Sequence, residues 1–260
     1  MNNSNLKLKL KNKEVVFAAW VSFGHPSITE IFAQGPFDFI AIDMEHSTIN
    51  LEQAQRIIAA SQAYGKPCLP RPVSHSNDYI KPLLDSGADG IIAPLVSSRI
   101  DSDLLIDLIK YPPLGKRSFG VNRAQNYGLN FDQYISKWNE NSIFIPQIES
   151  KHAVENIESI IANENVDSVM VGPYDLSGSY GFPGQPNHPI VMEAQRKVIK
   201  ACQIKNKSCG TQIKMFSEKD ISNSINLGYN LIFASSDLFI LANWTASAIE
   251  VISNFQKVKK

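Results

Sequence analysis

Eight apolar or β-branched runs recur along the chain, most of them separated by segments with helical spacing. They begin near Val15 (VVFAAWVSF), Phe37 (FDFIAID), Pro67 (PCLPRPV), Gly90 (GIIAPLV), Ser142 (SIFIPQIE), Asp167 (DSVMVGP), Ser208 (SCGTQI) and Tyr229 (YNLIFASSD). Hydrophobicity within the runs is continuous rather than alternating, as in parallel strands covered on both faces. Between them the spacing predicts helices over 51–64, 77–86, 101–110, 150–163, 191–206, 217–227 and 243–255, with Gly65 and Gly87 as stops for the first two. Strand and helix alternating in this way predict one (β/α)8 TIM barrel over residues 1–260, with a doubly wound open sheet as the weaker alternative. Two connections, 111–134 and 178–189, are too long for simple turns. Their glycines and prolines mark them as functional covers or interface elements.

The polar residues add direction to this pattern. Asp43, Glu45 and His46 follow the second run, and Arg71 closes the third. Gln147 and Glu149 close the fifth, and Gly172, Pro173, Tyr174 and Asp175 follow the sixth. Gln212 and Lys214 end the seventh; Ser235, Ser236 and Asp237 end the eighth. In a barrel all these ends open on one face, where active sites lie. Glu149 and Asp175 stand after consecutive strands, so their carboxylates converge and offer one hard cation oxygen ligands, leaving positions open for water or substrate. All-oxygen ligation favours Mg²⁺ or Mn²⁺, with Co²⁺ as a substitute in vitro. An α-keto acid is a natural ligand for such a site, and the cation would stabilise its enolate. Arg71 would add a donor to the oxyanion, and His46 would move protons.

Each residue also has a plainer reading. Asp175 suits a helix cap, Glu149 a first-turn acid, Arg71 a structural ion pair, and Trp20 either core or the floor of a pocket. A lone histidine is more often a surface or packing residue. His46 stands out from His25, His75, His152 and His188 because two acids precede it directly after a buried run.

Composition narrows the class. The 260 residues are 43% hydrophobic and 19% charged, with 25 basic and 25 acidic side chains. A formal charge of zero argues against a broad surface for nucleic acid or anionic lipid. Cys68, Cys202 and Cys209 lack metal-type spacing and suit a reducing cytoplasm. The first 13 residues lack a signal-peptide core, and no later stretch reads as long enough to span a bilayer, so a cytoplasmic protein is expected.

The strings IDMEHS (42–47), PRP (70–72), LLDSGADGIIAPLV (83–96), YPPLGKR (111–117), QIES (147–150) and GPYDLSGSYGFPGQPNHP (172–189) resemble the metal-dependent pyruvate aldolases of the HpcH/HpaI aldolase/citrate lyase family. The similarity runs from about residue 10 to 252. It implies a barrel of the phosphoenolpyruvate/pyruvate superfamily type, with a last helix packed on a neighbouring subunit and a homohexamer built as a trimer of dimers. It implies Glu149 and Asp175 as metal ligands, Arg71 and Gln147 near the pyruvate oxygens, and His46 as acid/base supported by Asp43 or Asp85. Trp20 falls at the family's pocket aromatic, and backbone amides over Gly172, Pro173, Tyr174 and Asp175 would receive the pyruvate carboxylate. Pyruvate or oxaloacetate would be the keto acid.

The sequence departs from the family at Ser118, at Gln212 and at Ser235–Ser236, which suggests a more polar pocket and a small hydroxylated aldehyde. Three rivals stand beside this reading: a Schiff-base aldolase using Lys214, a CoA-ester lyase of the same superfamily, and a non-catalytic keto-acid-binding oligomer.

Overall fold

The computed structural model describes residues 3–257. In chain order the elements are α1 (Asn3–Lys11), β1 (Val16–Val21), α2 (Pro26–Ala33), β2 (Phe39–Asp43), α3 (Leu51–Ala63), β3 (Cys68–Arg71), α4 (Asn77–Asp85), β4 (Gly90–Ala93) and α5 (Arg99–Ile109). They continue with α6 (Phe131–Asn141), β5 (Ile143–Ile148), α7 (Lys151–Glu155), α8 (Ile157–Ile160), β6 (Ser168–Val171), α9 (Pro173–Ser179) and α10 (Pro189–Ile204). The last are β7 (Ser208–Ile213), α11 (Glu218–Leu227), β8 (Leu231–Ala234) and α12 (Asp237–Lys257).

The sheet order is β3-β2-β1-β8-β7-β6-β5-β4, with every registered pair parallel. The seam between β3 and β4 is bridged where the Asp89 N–H donates to the Cys68 carbonyl at 2.9 Å and the Cys68 N–H donates to Asp89 Oδ2 at 2.8 Å. The result is a nearly closed TIM barrel.

Residues two apart point to the same side of a strand, so each strand feeds two cores. Val16, Ala18, Trp20, Phe39, Ala41, Leu69, Ile92, Ile143, Ile145, Met170, Leu231 and Phe233 fill the barrel interior. The alternate residues, such as Ile40, Ile42, Ile91, Phe144, Ile148, Val169 and Ile232, pack under the helices. This two-sided burial explains why the runs read as continuously apolar. Gly90 is required where the wall is tightest: a Cβ there would lie 2.0 Å from the Ile143 carbonyl oxygen.

Local signals set the helix ends. Asn50 and Gln53 form a capping box on α3, Ser98 and Asp101 one on α5, and Gly228 at φ 115° stops α11.

Four helices differ from expectation. The segment LKLKLK alternates with period two, yet α1 is a helix that turns Leu6 and Leu10 onto the bottom of the inner core and leaves Leu8 outside. Lys9 pairs with Asp38 at 2.7 Å and Lys7 with Asp167 at 3.0 Å, fixing this plug. Helix α2 fills the β1–β2 connection. The 111–134 connection is shorter than it reads, because a 3-10 turn over Arg123–Gly128 and then α6 occupy its second half. It joins α5 to β5, so it belongs to the N-terminal rim rather than to the mouth.

The fourth is α12, which starts at Asp237 instead of residue 243. Its stretch Asp237–Gln256 has mean hydropathy 1.3, long and apolar enough by length and composition to cross a membrane, contrary to the sequence expectation. Asn243, Thr245 and Glu250 interrupt the run and hide its length in the sequence. Beyond Asp237 no residue of the stretch is buried in the single chain, with Leu241, Trp244, Ile249, Ile252 and Phe255 exposed.

Candidate active site

The inward register that carries the inner core continues past the strand ends as polar residues. Above Phe39 and Ala41 comes Asp43, above Leu69 comes Arg71, and above Ile143 and Ile145 come Gln147 and Glu149. All four are buried.

Arg71 is the hub. Its Nη2 and Nε donate to Asp43 Oδ1 at 2.8 and 3.2 Å, and its Nη1 donates to Gln147 Oε1 at 3.2 Å. Nη1 also lies 3.1 Å from Glu45 Oε2. The guanidinium sits 4.7 Å from the centroid of Trp20, whose ring meets Phe233 edge-on at 5.3 Å. Trp20 is thus a core residue whose ring also packs against the Arg71 guanidinium. The five N–H groups of Arg71 are not all engaged by the protein, so the guanidinium can still receive a ligand oxygen.

Gln147 passes the chain of contacts onward, its Nε2 donating to Glu149 Oε2 at 2.6 Å. The other oxygen, Oε1, accepts the Leu95 N–H at 2.7 Å. Strands β5 and β6 pair side by side, with Gln147 opposite Met170 and Ile148 opposite Val171. The residue after β6, Gly172, has no side chain, and a Cβ there would crowd Glu149 Oε2 at 3.0 Å and Gln147 Nε2 at 3.1 Å. Glycine thus lets the β6 exit close over Glu149. Asp175 follows as the third residue of α9, exposed on the rim; Gly172, not Asp175, is the capping residue.

The electrostatics are unbalanced. Four carboxylates, those of Asp43, Glu45, Glu149 and Asp175, share one permanent cation. Burial pushes the Glu149 carboxyl up to about 7; the Leu95 hydrogen bond opposes that shift, and the neighbouring Glu45 and Asp175 charges add to it. Burial likewise raises Glu45, against the pull of Arg71 and His46. Glu45 Oε2 is buried and has no hydrogen-bond donor among the described residues, although Arg71 stands beside it as an ion pair. This donor set fits a divalent cation: hard oxygens, an excess of negative charge, and a glycine cradle at the edge. Among the described residues no three or more His, Cys, Asp or Glu form a metal-holding cluster.

Several expectations are redrawn. Asp43 makes no hydrogen bond or ion pair with the His46 ring; its Oδ1 accepts the backbone N–H groups of Glu45 and His46, each at 3.1 Å. Asp85 ends α4 and binds Arg117 at 2.8 Å, within an aromatic surround of Tyr111, Tyr134 and Trp138, and makes no contact with His46 in this chain. The group nearest the imidazole is Glu45, 3.7 Å from His46 Nε2. The carboxylate three residues after Ile42 was visible in the sequence, but nothing there distinguished its role from that of Asp43. His46 itself is 67% exposed.

Ser236 caps α12, accepting the Phe239 N–H at 3.2 Å, and is buried. Asp237 accepts the N–H groups of Ser22 and Phe23, tying the β1 exit to α12. Gln212 is half-buried on β7, and Pro173, Tyr174, Gln212 and Lys214 line a 650 Å³ cavity beside the rim. Lys214 is exposed, with its ammonium 5.5 Å from the Phe239 ring centroid. Burial lowers Lys110, to about 7, and Lys207, but Lys110 follows α5 with its ammonium on Ser142 before β5, and Lys207 precedes β7, so both lie on the N-terminal side of the barrel. A desolvated lysine suited to Schiff-base chemistry is not found at the rim among the described residues.

The sequence model of the HpcH/HpaI aldolase/citrate lyase family matches residues 17–243. The 2-keto-3-deoxy-L-rhamnonate aldolase of Salmonella typhi is 32% identical over 203 residues, 77% of this chain and 74% of its own length. The crystal structure of an HpcH/HpaI aldolase from Desulfitobacterium hafniense has a TM-score of 0.88 at 29% identity, covering 95% of this chain and 96% of that one. An HpcH/HpaI aldolase/citrate lyase family protein from Burkholderia cenocepacia has a TM-score of 0.90 at 28% identity, covering 96% and 99%.

Proposed function

Because the chain belongs to the HpcH/HpaI aldolase/citrate lyase family, we propose that it is a divalent-metal-dependent aldolase, reversibly cleaving a 4-hydroxy-2-oxo acid to pyruvate and an aldehyde. The observation that carries this reading is the carboxylate excess at the C-terminal rim, with Glu149 raised to about 7 and Asp175 near enough to contribute to the shift. Glu149 and Asp175 would hold Mg²⁺ or Mn²⁺, which when bound supplies a Lewis acid for the keto oxygen of the substrate.

The remaining steps belong to this chain's side chains. Arg71, fixed by Asp43, Gln147 and Trp20, presents N–H groups to the negative charge that develops on the C2 oxygen. His46, beside Glu45, takes the proton from the C4 hydroxyl. The C3–C4 bond then breaks, its electron pair passes into the enolate, and the aldehyde departs. Protonation at C3 yields pyruvate. The N–H groups of α9 near Gly172 would receive the pyruvate carboxylate, although Pro173 contributes none.

Tyr174, Gln212 and the cavity behind them give the acceptor a polar wall, consistent with a small hydroxylated aldehyde. The uncovered face of α12 is the surface by which one copy would pack on another, in a hexamer built from dimers. Three buried, unpaired cysteines fit a reducing cytoplasm. A pyruvate-dependent aldehyde screen with Mg²⁺ or Mn²⁺, repeated after chelation, tests the reading. Condensation that needs the metal supports it; condensation indifferent to chelation, or trapped by borohydride, overturns it.

A further inference from the structure

One peptide unit at the β4 exit is held at both ends by the site. The Pro94 carbonyl oxygen lies 2.5 Å from His75 Nε2, on the loop that follows Arg71. The N–H of the same unit, that of Leu95, donates to Glu149 Oε1 at 2.7 Å. Leu95 adopts φ 54°, in the left-handed region that leucine seldom occupies, and it is 64% exposed. Burial of the side chain therefore does not explain the conformation. The strained backbone sits where the Leu95 N–H meets Glu149, as such conformations do at functional sites.

We propose that the Pro94–Leu95 peptide, locked by His75, is a positioning element that fixes the carboxylate of Glu149 for cation binding; the inference rests on the metal-dependent reading above. The geometry explains the arrangement. A carboxylate on two soft side-chain torsions can rotate, and a cation needs one oxygen held in place with the correct lone pair free. Glu149 is gripped on both oxygens, each from a different direction. Arg71 orders Gln147, which donates to Oε2; His75 orders the Pro94–Leu95 plane, which donates to Oε1. Both routes begin on the β3–α4 side and converge on the β5 exit, so three successive strand ends are tied into one frame. Because the His75 Nε2–H donates to the carbonyl of the peptide whose N–H is the donor to Glu149, it also polarises that donor. His75 touches no reacting atom in this account and acts through the peptide.

The test measures Mn²⁺ binding to the full-length protein by electron paramagnetic resonance, alongside thermal unfolding without metal. His75→Phe, which removes the donor one step behind the ligand's own partner, is expected to weaken Mn²⁺ binding roughly 10-fold, the low end of the loss when a direct partner of a metal ligand is removed. His75→Gln, with an amide that can still donate, is expected to recover part of that loss and guards against a misfolded first variant. Leu95→Gly keeps the N–H and relieves the strain, so it should bind Mn²⁺ nearly as wild type does. Unchanged affinity in His75→Phe, or equal loss in Phe and Gln variants of normal unfolding temperature, overturns the proposal. Wild-type protein that binds no Mn²⁺ overturns the metal reading itself, which separates the two failures.

Discussion

Gln147 and Glu149 stand two residues apart on β5, both facing inward, and are joined by a 2.6 Å hydrogen bond from amide to carboxylate. The same amide accepts from Arg71, so the guanidinium and the acid are linked without touching. A glutamine is suited to this place because it donates at one end and accepts at the other. Gln147→Leu keeps the bulk and removes both bonds. It is expected to weaken Mg²⁺ or Mn²⁺ affinity roughly 10- to 100-fold, measured by calorimetry.

Arg71 balances Asp43 and Glu45 in a buried setting, so its removal should act twice. Arg71→Ala is expected to lower kcat roughly 100- to 1000-fold through the lost oxyanion donor. It should also lower stability by about 3 to 5 kcal/mol near neutral pH, because two buried carboxylates lose their partner. Arg71→Lys keeps the charge without the planar fork and should fall between. Denaturant unfolding and steady-state kinetics on the same preparations separate the two effects.

The raised Glu149 carboxyl gives a pH signature. Its affinity for a proton is greater in the folded state than in the unfolded chain, so the folded state binds the extra proton between the ordinary value of 4.5 and about 7. In metal-free protein this group's contribution to stability is therefore present at low pH and lost as pH rises through that window. Glu149→Gln cannot titrate there. The unfolding temperature of the variant, relative to wild type, should rise from pH 4.5 to 7 without metal, and Mg²⁺ should reverse the difference. A flat difference across the window would contradict the assignment.

Ser235 occupies φ 65° at the β8 exit, and its Oγ donates to the Lys214 carbonyl at 2.9 Å. Ser235→Ala keeps the strain and loses the bond, an expected cost of about 1 kcal/mol. Ser235→Gly loses the bond but relieves the left-handed backbone, so it should be the more stable of the two, as thermal unfolding would report.

The barrel and the placement of polar residues at its strand ends were legible in the sequence for one reason. Two-sided burial writes each strand as an apolar run, and the inward register places Asp43, Arg71, Gln147 and Glu149 at the ends of such runs. Backbone contributions left no such mark. Leu95 reads as one more apolar residue, yet its N–H is the group that matters, and only the φ angle reveals it. Partnership across strands is also hidden in a sequence: Asp85 and Asp43 read alike as supports for His46, yet Asp85 pairs with Arg117 and Asp43 with Arg71. In α1 alternating lysines mask the helical spacing of Leu6 and Leu10, and in α12 scattered polar residues break up an otherwise apolar stretch.

Enolate formation can be measured without knowing the aldehyde. Proton NMR of pyruvate in D₂O reports exchange of the methyl hydrogens when the enzyme forms and reprotonates the enolate. Exchange is expected to require Mg²⁺, to stop on chelation, and to be abolished in Glu149→Ala. Exchange that continues undiminished in the chelated protein or in Glu149→Ala would contradict the metal-dependent reading.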